Sequence, residues 1–292
     1  MYELEKVGSS TYYINCPAKI GVYVKGEDAY LIDSGNDKDA GKKIKRVLDS
    51  NGWHLKGIIN THSHADHIGG NHYLQQQTGC KVFAGGIEGA FTANPMLEPS
   101  LLYGGFPPKE LCHKFLLAQQ SNVTSFDDPD FPKELELIEL KGHYFDMVGV
   151  RTPDDVLFIA DCVSSEATLN KYHIPFIYDV SAYVSTLEHI KLEKAALFVP
   201  SHAEPTEDIN AVADANIQKV IEIEQVILSI LEEPCTFEQL LSNVFSHYSL
   251  TMTFEQHALV GSTLRSFLSR LHNSSRIDAV IEENKILYKK TR

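Results

Sequence analysis

The chain has 292 residues, of which 43% are hydrophobic and 22% charged, a globular mixture that excludes disordered, collagen-like and coiled-coil classes. Folding at this length buries roughly three quarters of the extended surface, so the core needs no disulfide framework. With 26 basic and 39 acidic residues the net charge is −13, which repels polyanions and argues against a simple electrostatic nucleic-acid binder.

Residues 10–35 alternate as a hairpin: Ile20, Val22 and Val24 point one way, Lys25-Gly26-Glu27-Asp28 turns, and Ala29-Tyr30-Leu31-Ile32 returns. Residues 39–50 carry Ile44, Val47 and Leu48 at helical spacing and stop at Asn51-Gly52. A short buried strand is expected over 55–60, a polar run follows, and then a helix over 68–77 and a strand over 81–84. Residues 86–130 differ in texture, with five prolines, four glycines and a predicted helix over 108–119. A long insertion with aromatic residues suits a lid or a surface excursion, and Phe91, Tyr103 and Phe106 are its candidate pocket walls.

Strands resume over 135–140, 147–151, 156–160 and 196–199, which places the first 205 residues in the α/β class. Beyond Pro205, Ile209, Val212, Ile217, Val220, Ile221, Ile227 and Leu231 trace one face of a long helix that Pro234 ends. Thr236 and Thr253 each open a Thr-Phe-Glu-Gln unit with capping-box spacing, and a hairpin over 277–288 closes the chain. Helix, helix, helix, hairpin is the element order of a winged helix. The expected division is a catalytic unit over 1–205 and a winged-helix-like unit over 206–292.

Five scattered cysteines without a CxxC pair fit a reducing compartment. The opening MYELEKVGSSTYYIN lacks an apolar run of signal-peptide length, and no stretch nears 18 uncharged apolar residues. The expectation is a cytoplasmic protein with no membrane span.

The strongest chemical signal is Thr61-His62-Ser63-His64-Ala65-Asp66-His67, between a strand-like run and a helix. Three imidazoles and a carboxylate this close are costly to bury without a cation. Nitrogen and oxygen donors suit zinc, and also iron or manganese. A helix cap at Asp66 would explain only one of the four. His143, Asp161 and His202 each follow a predicted strand, at the edge where α/β folds place their sites. Each alone has a bland explanation as a loop residue, and together they supply the donors that the cluster lacks. Cys162 beside Asp161 reads as core packing.

On Asp33 with Gly35, the H-x-H-x-D-H run His62 to His67, His143, Asp161 and His202, residues 1–205 resemble the metallo-β-lactamase superfamily. The resemblance implies an αββα sandwich with two metal ions at one edge. It assigns His62, His64 and His143 to the first ion and Asp66, His67 and His202 to the second. Asp161 would bridge them, and Asp33 would orient a ligand. An aspartate at the bridging position resembles the glyoxalase II, lactonase, nuclease and phosphodiesterase branches more than the antibiotic-hydrolysing ones.

Two such ions, about 3.5–4 Å apart, would lower the pKa of a shared water towards about 7 for attack on a carbonyl or phosphoryl centre. Asp66 would be the proton-transferring catalytic residue. The expected activity is hydrolysis of a small acyl compound, a thioester, lactone or similar ester. A metal-dependent ribonuclease or phosphodiesterase is the alternative, and a mononuclear-iron persulfide dioxygenase a further one. The tail carries only Arg265 and Arg270 on its second predicted helix, a thin basic face that favours docking or homodimer formation over nucleic-acid binding.

Overall fold

The computed structural model describes residues 2–291. Strands β1 (Glu3–Lys6), β2 (Thr11–Asn15), β3 (Ile20–Lys25) and β4 (Asp28–Ile32) form an antiparallel meander. Its sheet continues in parallel because helices carry the chain back across it. Helix α1 (Lys38–Ser50) leads to β5 (His54–Ile59). Helices α2 (Ala65–Ile68) and α3 (Asn71–Thr78) lead to β6 (Lys81–Phe83). Helices α4 (Gly86–Ala93) and α5 (Leu97–Tyr103) lead to β7 (Val123–Thr124). A second sheet runs β11-β10-β9-β8, from β8 (Glu136–Glu139), β9 (Val148–Arg151), β10 (Val156–Ala160) and β11 (Leu197–Pro200). Between β10 and its parallel partner β11 lie α6 (Glu166–Tyr172) and α7 (Val180–Ile190). The chain ends in α8 (Asn210–Ile230), α9 (Phe237–His247), α10 (Phe254–Asn273) and the hairpin β12 (Ile277–Glu282) and β13 (Lys285–Lys290).

The period of two in the strands sorts side chains into layers. In β10, Val156 and Phe158 meet Tyr23, Ile32 and Ile59 of the first sheet. Leu157 and Ile159 face outward onto α7 and the C-terminal helices. Ile20, Val22 and Leu31 cover the other outer face beneath Ile44 and Leu48 of α1. The result is a four-layer αββα sandwich followed by three helices and a hairpin. The apolar cluster outside the second sheet runs without interruption into α8, α9 and α10.

Several expectations need correction. The helix expected over 68–77 is two helices, broken at Gly69-Gly70. A Cβ at Gly69 would lie 2.2 Å from the Asn36 carbonyl carbon, and one at Gly70 2.2 Å from Ser34 O, so the two loops interlock there. No helix spans 108–119; one 3-10 turn forms at Lys109–Leu111. The stretch is pulled in opposed directions, since Leu111 and Leu116 bury against Ala258 while Lys114 Nζ reaches Asp37 at 3.0 Å. Helices α4 to α7 were not anticipated. Ile221 lies on the solvent side of α8 rather than on its apolar face. At α9 the capping box is complete, whereas Thr253 accepts from Gln256 N without the reciprocal bond. Among the described residues, no helix is long and apolar enough to cross a membrane.

Candidate metal centre

Strands β4, β5, β8, β10 and β11 all end at one edge of the sandwich, and the segments after them carry Asp33 and the seven candidate ligands. His62 and His64 lie in the extended loop after β5, and Asp66 and His67 lie in the single-turn α2. His143 follows β8, Asp161 directly follows β10 and His202 follows β11. The backbone is bent to bring them in. Ala160 takes a positive φ of 49° at a register shift between Phe158 and Ala160, which turns Asp161 toward the edge. Gly142, at φ 119°, lets the His143 loop cross α7, where a Cβ would meet Tyr183 N at 2.1 Å.

The structure brings all seven residues together in two neighbouring sets of donor atoms, each set within 4.8 Å. One comprises His62, His64, His143 and Asp161; the other comprises Asp66, His67 and His202. His64 Nδ1 lies 3.1 Å from both His62 Nε2 and His143 Nε2. His202 Nε2 lies 3.1 Å from Asp66 Oδ2. Asp161 stands between the sets, its Oδ2 3.5 Å from His143 Nε2 and 3.4 Å from His202 Nε2, its Oδ1 3.3 Å from His67 Nε2. Asp66 caps no helix; the N-cap position of α2 is His64, without a side-chain cap bond.

Partners behind the rings fix which nitrogen faces inward. His67 Nδ1 donates to Asp33 Oδ2 at 2.8 Å, and His202 Nδ1 donates to Pro17 O at 2.9 Å. Thr61 Oγ1 donates to Asp33 Oδ2 at 2.7 Å and so accepts from His62 Nδ1 at 3.1 Å. Each of these rings therefore turns its Nε2 toward the centre.

The electrostatics match a site that awaits positive charge. Burial holds His62, His64 and His143 below the usual histidine range, His64 down to about 3, so their lone pairs are free. Asp161 raises His202 to about 10 against the opposing effect of burial. His67 is raised well above its ordinary value by Asp161, Asp66 and Asp33, although burial opposes it. Burial likewise opposes the lowering of Asp161, which His202 and His67 nevertheless hold well below the carboxylate range. His67 Nε2 and Asp161 Oδ1 are buried with no hydrogen-bond partner. These two atoms lie 3.3 Å apart, and such a buried pair is satisfied only when a proton or a metal cation lies between them. The donor set fits divalent metal ions on that ground.

Some residues of the site were not foreseen. Glu88 of α4 accepts from Ser63 N at 2.9 Å, Ser63 Oγ at 2.6 Å and Asp146 N at 3.0 Å, bracing the loops of His62 and His143 together. Burial pushes its carboxyl up to about 7. Glu98 of α5 is buried with Oε1 3.8 Å from His64 Nε2, and burial, Asp66 and Glu88 keep it well above the carboxylate range. Nothing in the sequence marks either one, because they come from helices hidden in the irregular insertion. The pocket walls expected at Phe91, Tyr103 and Phe106 lie elsewhere. Phe91 packs edge-on behind Tyr144, whose ring lies tilted 4.3 Å from that of His64. Helix α5 ends at left-handed Gly104, so Tyr103 lies on Phe254 and Phe106 is 86% exposed. Phe176, 5.2 Å from the His64 ring and 5.8 Å from that of His143, is the aromatic wall instead. Cys162 is core, its thiol raised to about 12 by burial.

A family model, the Metallo-beta-lactamase superfamily, matches residues 14–202. Among curated proteins the chain is similar to a hydroxyacylglutathione hydrolase from Rhodopseudomonas palustris, 32% identical over 51% of this chain and 53% of that one. A second such hydrolase, from Methylococcus capsulatus, is 38% identical over 21% of this chain and 24% of that one. The chain thus spans about half or less of the length of these relatives. A beta-lactamase-like protein 2 homolog from Caenorhabditis elegans is 23% identical over 77% of this chain and 66% of that one. In fold, the chain resembles a metallo-beta-lactamase family protein from Thermus thermophilus. The TM-score is 0.72 at 16% identity, covering 97% of this chain and 99% of that one. A beta-lactamase domain protein from Burkholderia ambifaria also gives 0.72, at 14% identity, covering 99% and 94%.

Proposed function

Since the chain belongs to the metallo-beta-lactamase superfamily, we propose that it is a hydrolase using two divalent ions on a small acyl compound, a thioester or lactone. His62 Nε2, His64 Nδ1 and His143 Nε2 would hold the first ion, Asp66, His67 Nε2 and His202 Nε2 would hold the second, and Asp161 would serve both. Zinc suits this mixture of imidazole and carboxylate, with iron or manganese also able to occupy it. When bound, such ions polarise an acyl carbonyl and make water nucleophilic near neutral pH.

The chain's own residues orient and exchange protons. Asp33, Thr61 and Pro17 O hold the rings in the tautomer that ligates. Asp66, on the open side, takes the proton that water gives up on attacking the carbonyl carbon. It returns that proton to the thiolate or alkoxide as the carbon–sulfur or carbon–oxygen bond breaks, leaving a carboxylic acid and a thiol or alcohol. Residues 1–205 are the catalytic unit and residues 206–292 an appended one, with docking or homodimer formation as the tail's further role. All five cysteines are free, in keeping with a cytoplasmic setting.

The observation that carries this reading is the meeting of seven donor residues, two of which, His67 and Asp161, bring in buried atoms without a hydrogen-bond partner, Nε2 and Oδ1. A turnover screen of the purified protein over thioesters, lactones, phosphodiesters and RNA tests it. Hydrolysis of thioesters or lactones supports it. Cleavage of only phosphodiesters or RNA replaces it with the nuclease reading, and oxidation of a persulfide on one iron replaces it with the dioxygenase.

A further inference from the structure

A cavity of about 470 Å³ opens beside the centre, within the roughly 300–1,000 Å³ usual for small-molecule sites. His143, Asp161 and His202 form one end. The far wall comes from the C-terminal helices, through Phe245 of α9, Leu250 after it, and Leu259 and Val260 of α10. Pro175 and Phe176 close the near side. Among the described residues that line it there is no lysine or arginine. Its charged residue outside the centre is acidic: Glu255, whose Oε1 lies 3.4 Å from His113 Nε2.

The wall's hydrogen-bonding groups are largely used within the protein. Tyr183 Oη donates to Asn216 Oδ1, and Thr263 Oγ1 accepts from Ile177 N. Gln256 Oε1 is the exception, a buried atom without a partner. Glutathione carries carboxylates at both ends, and a nucleic acid carries a phosphate at every residue. Beyond the centre neither would find a cation along this wall, and both would meet Glu255. An uncharged hydrocarbon loses nothing in such a wall and gains by leaving water.

We propose that this cavity is an acyl-chain pocket, so that the substrate is a thioester or lactone with a neutral, medium-length hydrocarbon tail rather than a glutathionyl or nucleotidyl compound. The inference rests on the acyl-hydrolase reading above, and it gives the C-terminal helices a task in that reaction: α9 and α10 build the tail's binding wall.

The test is a series of acyl thioesters from acetyl to octanoyl on one uncharged thiol, with calorimetric binding of acetate, hexanoate and octanoate alongside. The expected result is kcat/KM rising about three- to fourfold per added methylene. Val260→Trp and, separately, Leu250→Trp fill the wall and lower octanoyl turnover about tenfold more than acetyl turnover. The wild-type series needs neither variant to fold. Hydrolysis that is indifferent to tail length, or that prefers an S-acylglutathione, overturns the inference and leaves the hydrolase reading standing. No hydrolysis, with carboxylate binding that tightens with tail length, keeps the pocket and sinks the hydrolase reading. Neither hydrolysis nor length-dependent binding overturns both.

Discussion

Beneath the centre, His67 Nδ1 donates a 2.8 Å hydrogen bond to Asp33 Oδ2, and both side chains are buried. The same carboxylate accepts from Thr61 N and Thr61 Oγ1, so one side chain at the end of β4 steadies both His62 and His67. Asp33→Ala frees the His67 ring and should weaken metal binding about 10- to 100-fold, the usual cost of losing a ligand's outer partner. Competitive titration with a metal-sensitive dye reads this directly, and an unchanged affinity would remove Asp33 from the account.

Asp66→Ala and His62→Ala should lower turnover by at least about 10²–10⁴ while leaving the fold intact, because both belong to the polar cluster at the sandwich edge and neither, buried though His62 is, packs in an apolar core cluster. Steady-state kinetics with circular dichroism separates the two effects. Wild-type rates in a well-folded variant would refute the site.

Glu88 accepts three hydrogen bonds that join the Ser63 loop to the Asp146 loop. Glu88→Ala leaves those donors buried without partners and should cost about 1–3 kcal/mol of stability. Glu88→Gln keeps part of the acceptance and should cost less. Urea unfolding of the two variants checks the order.

The two sheets are clasped at their far end by Asp154, which accepts from Ser9 Oγ, Ser10 N and Thr11 Oγ1. Although burial opposes it, these donors, Ser9 and Thr11 foremost, hold its carboxyl down to about 2. A carboxyl lowered from about 3.9 in the unfolded chain stabilises the fold above that pH and ceases to as pH falls through about 2. Asp154→Asn should therefore cost about 1 kcal/mol at pH 7, and the gap from wild type should close between pH 4 and pH 2. Thermal unfolding across that range measures it, and a gap independent of pH would contradict it.

Most strands and the histidine–aspartate cluster were legible in the sequence because each has a local signature, whereas the short edge strands β1 and β7 were not. Alternation marks β3 and β4, a short unbroken apolar run marks β10, and the crowding of His62, His64, Asp66 and His67 has no ordinary packing explanation. That His143, Asp161 and His202 would join them could be read only from their places at strand ends. Helices α4 to α7 were not legible, since α4 holds two glycines, α5 a proline, and both depend on burial against loops far away in sequence. Glu88 and Glu98 were hidden for that reason. The aromatic residues of the insertion misled because their type carries no direction: Phe106 points to solvent, while Phe176, in an unremarked loop, faces the histidines.

The central claim is that these seven residues hold a pair of divalent ions, and elemental analysis of the purified protein tests it most directly. The account predicts two ions per chain, zinc foremost, falling below one in His62→Ala and in His202→Ala. A single iron per chain, or no metal retained after loading with zinc, would contradict it.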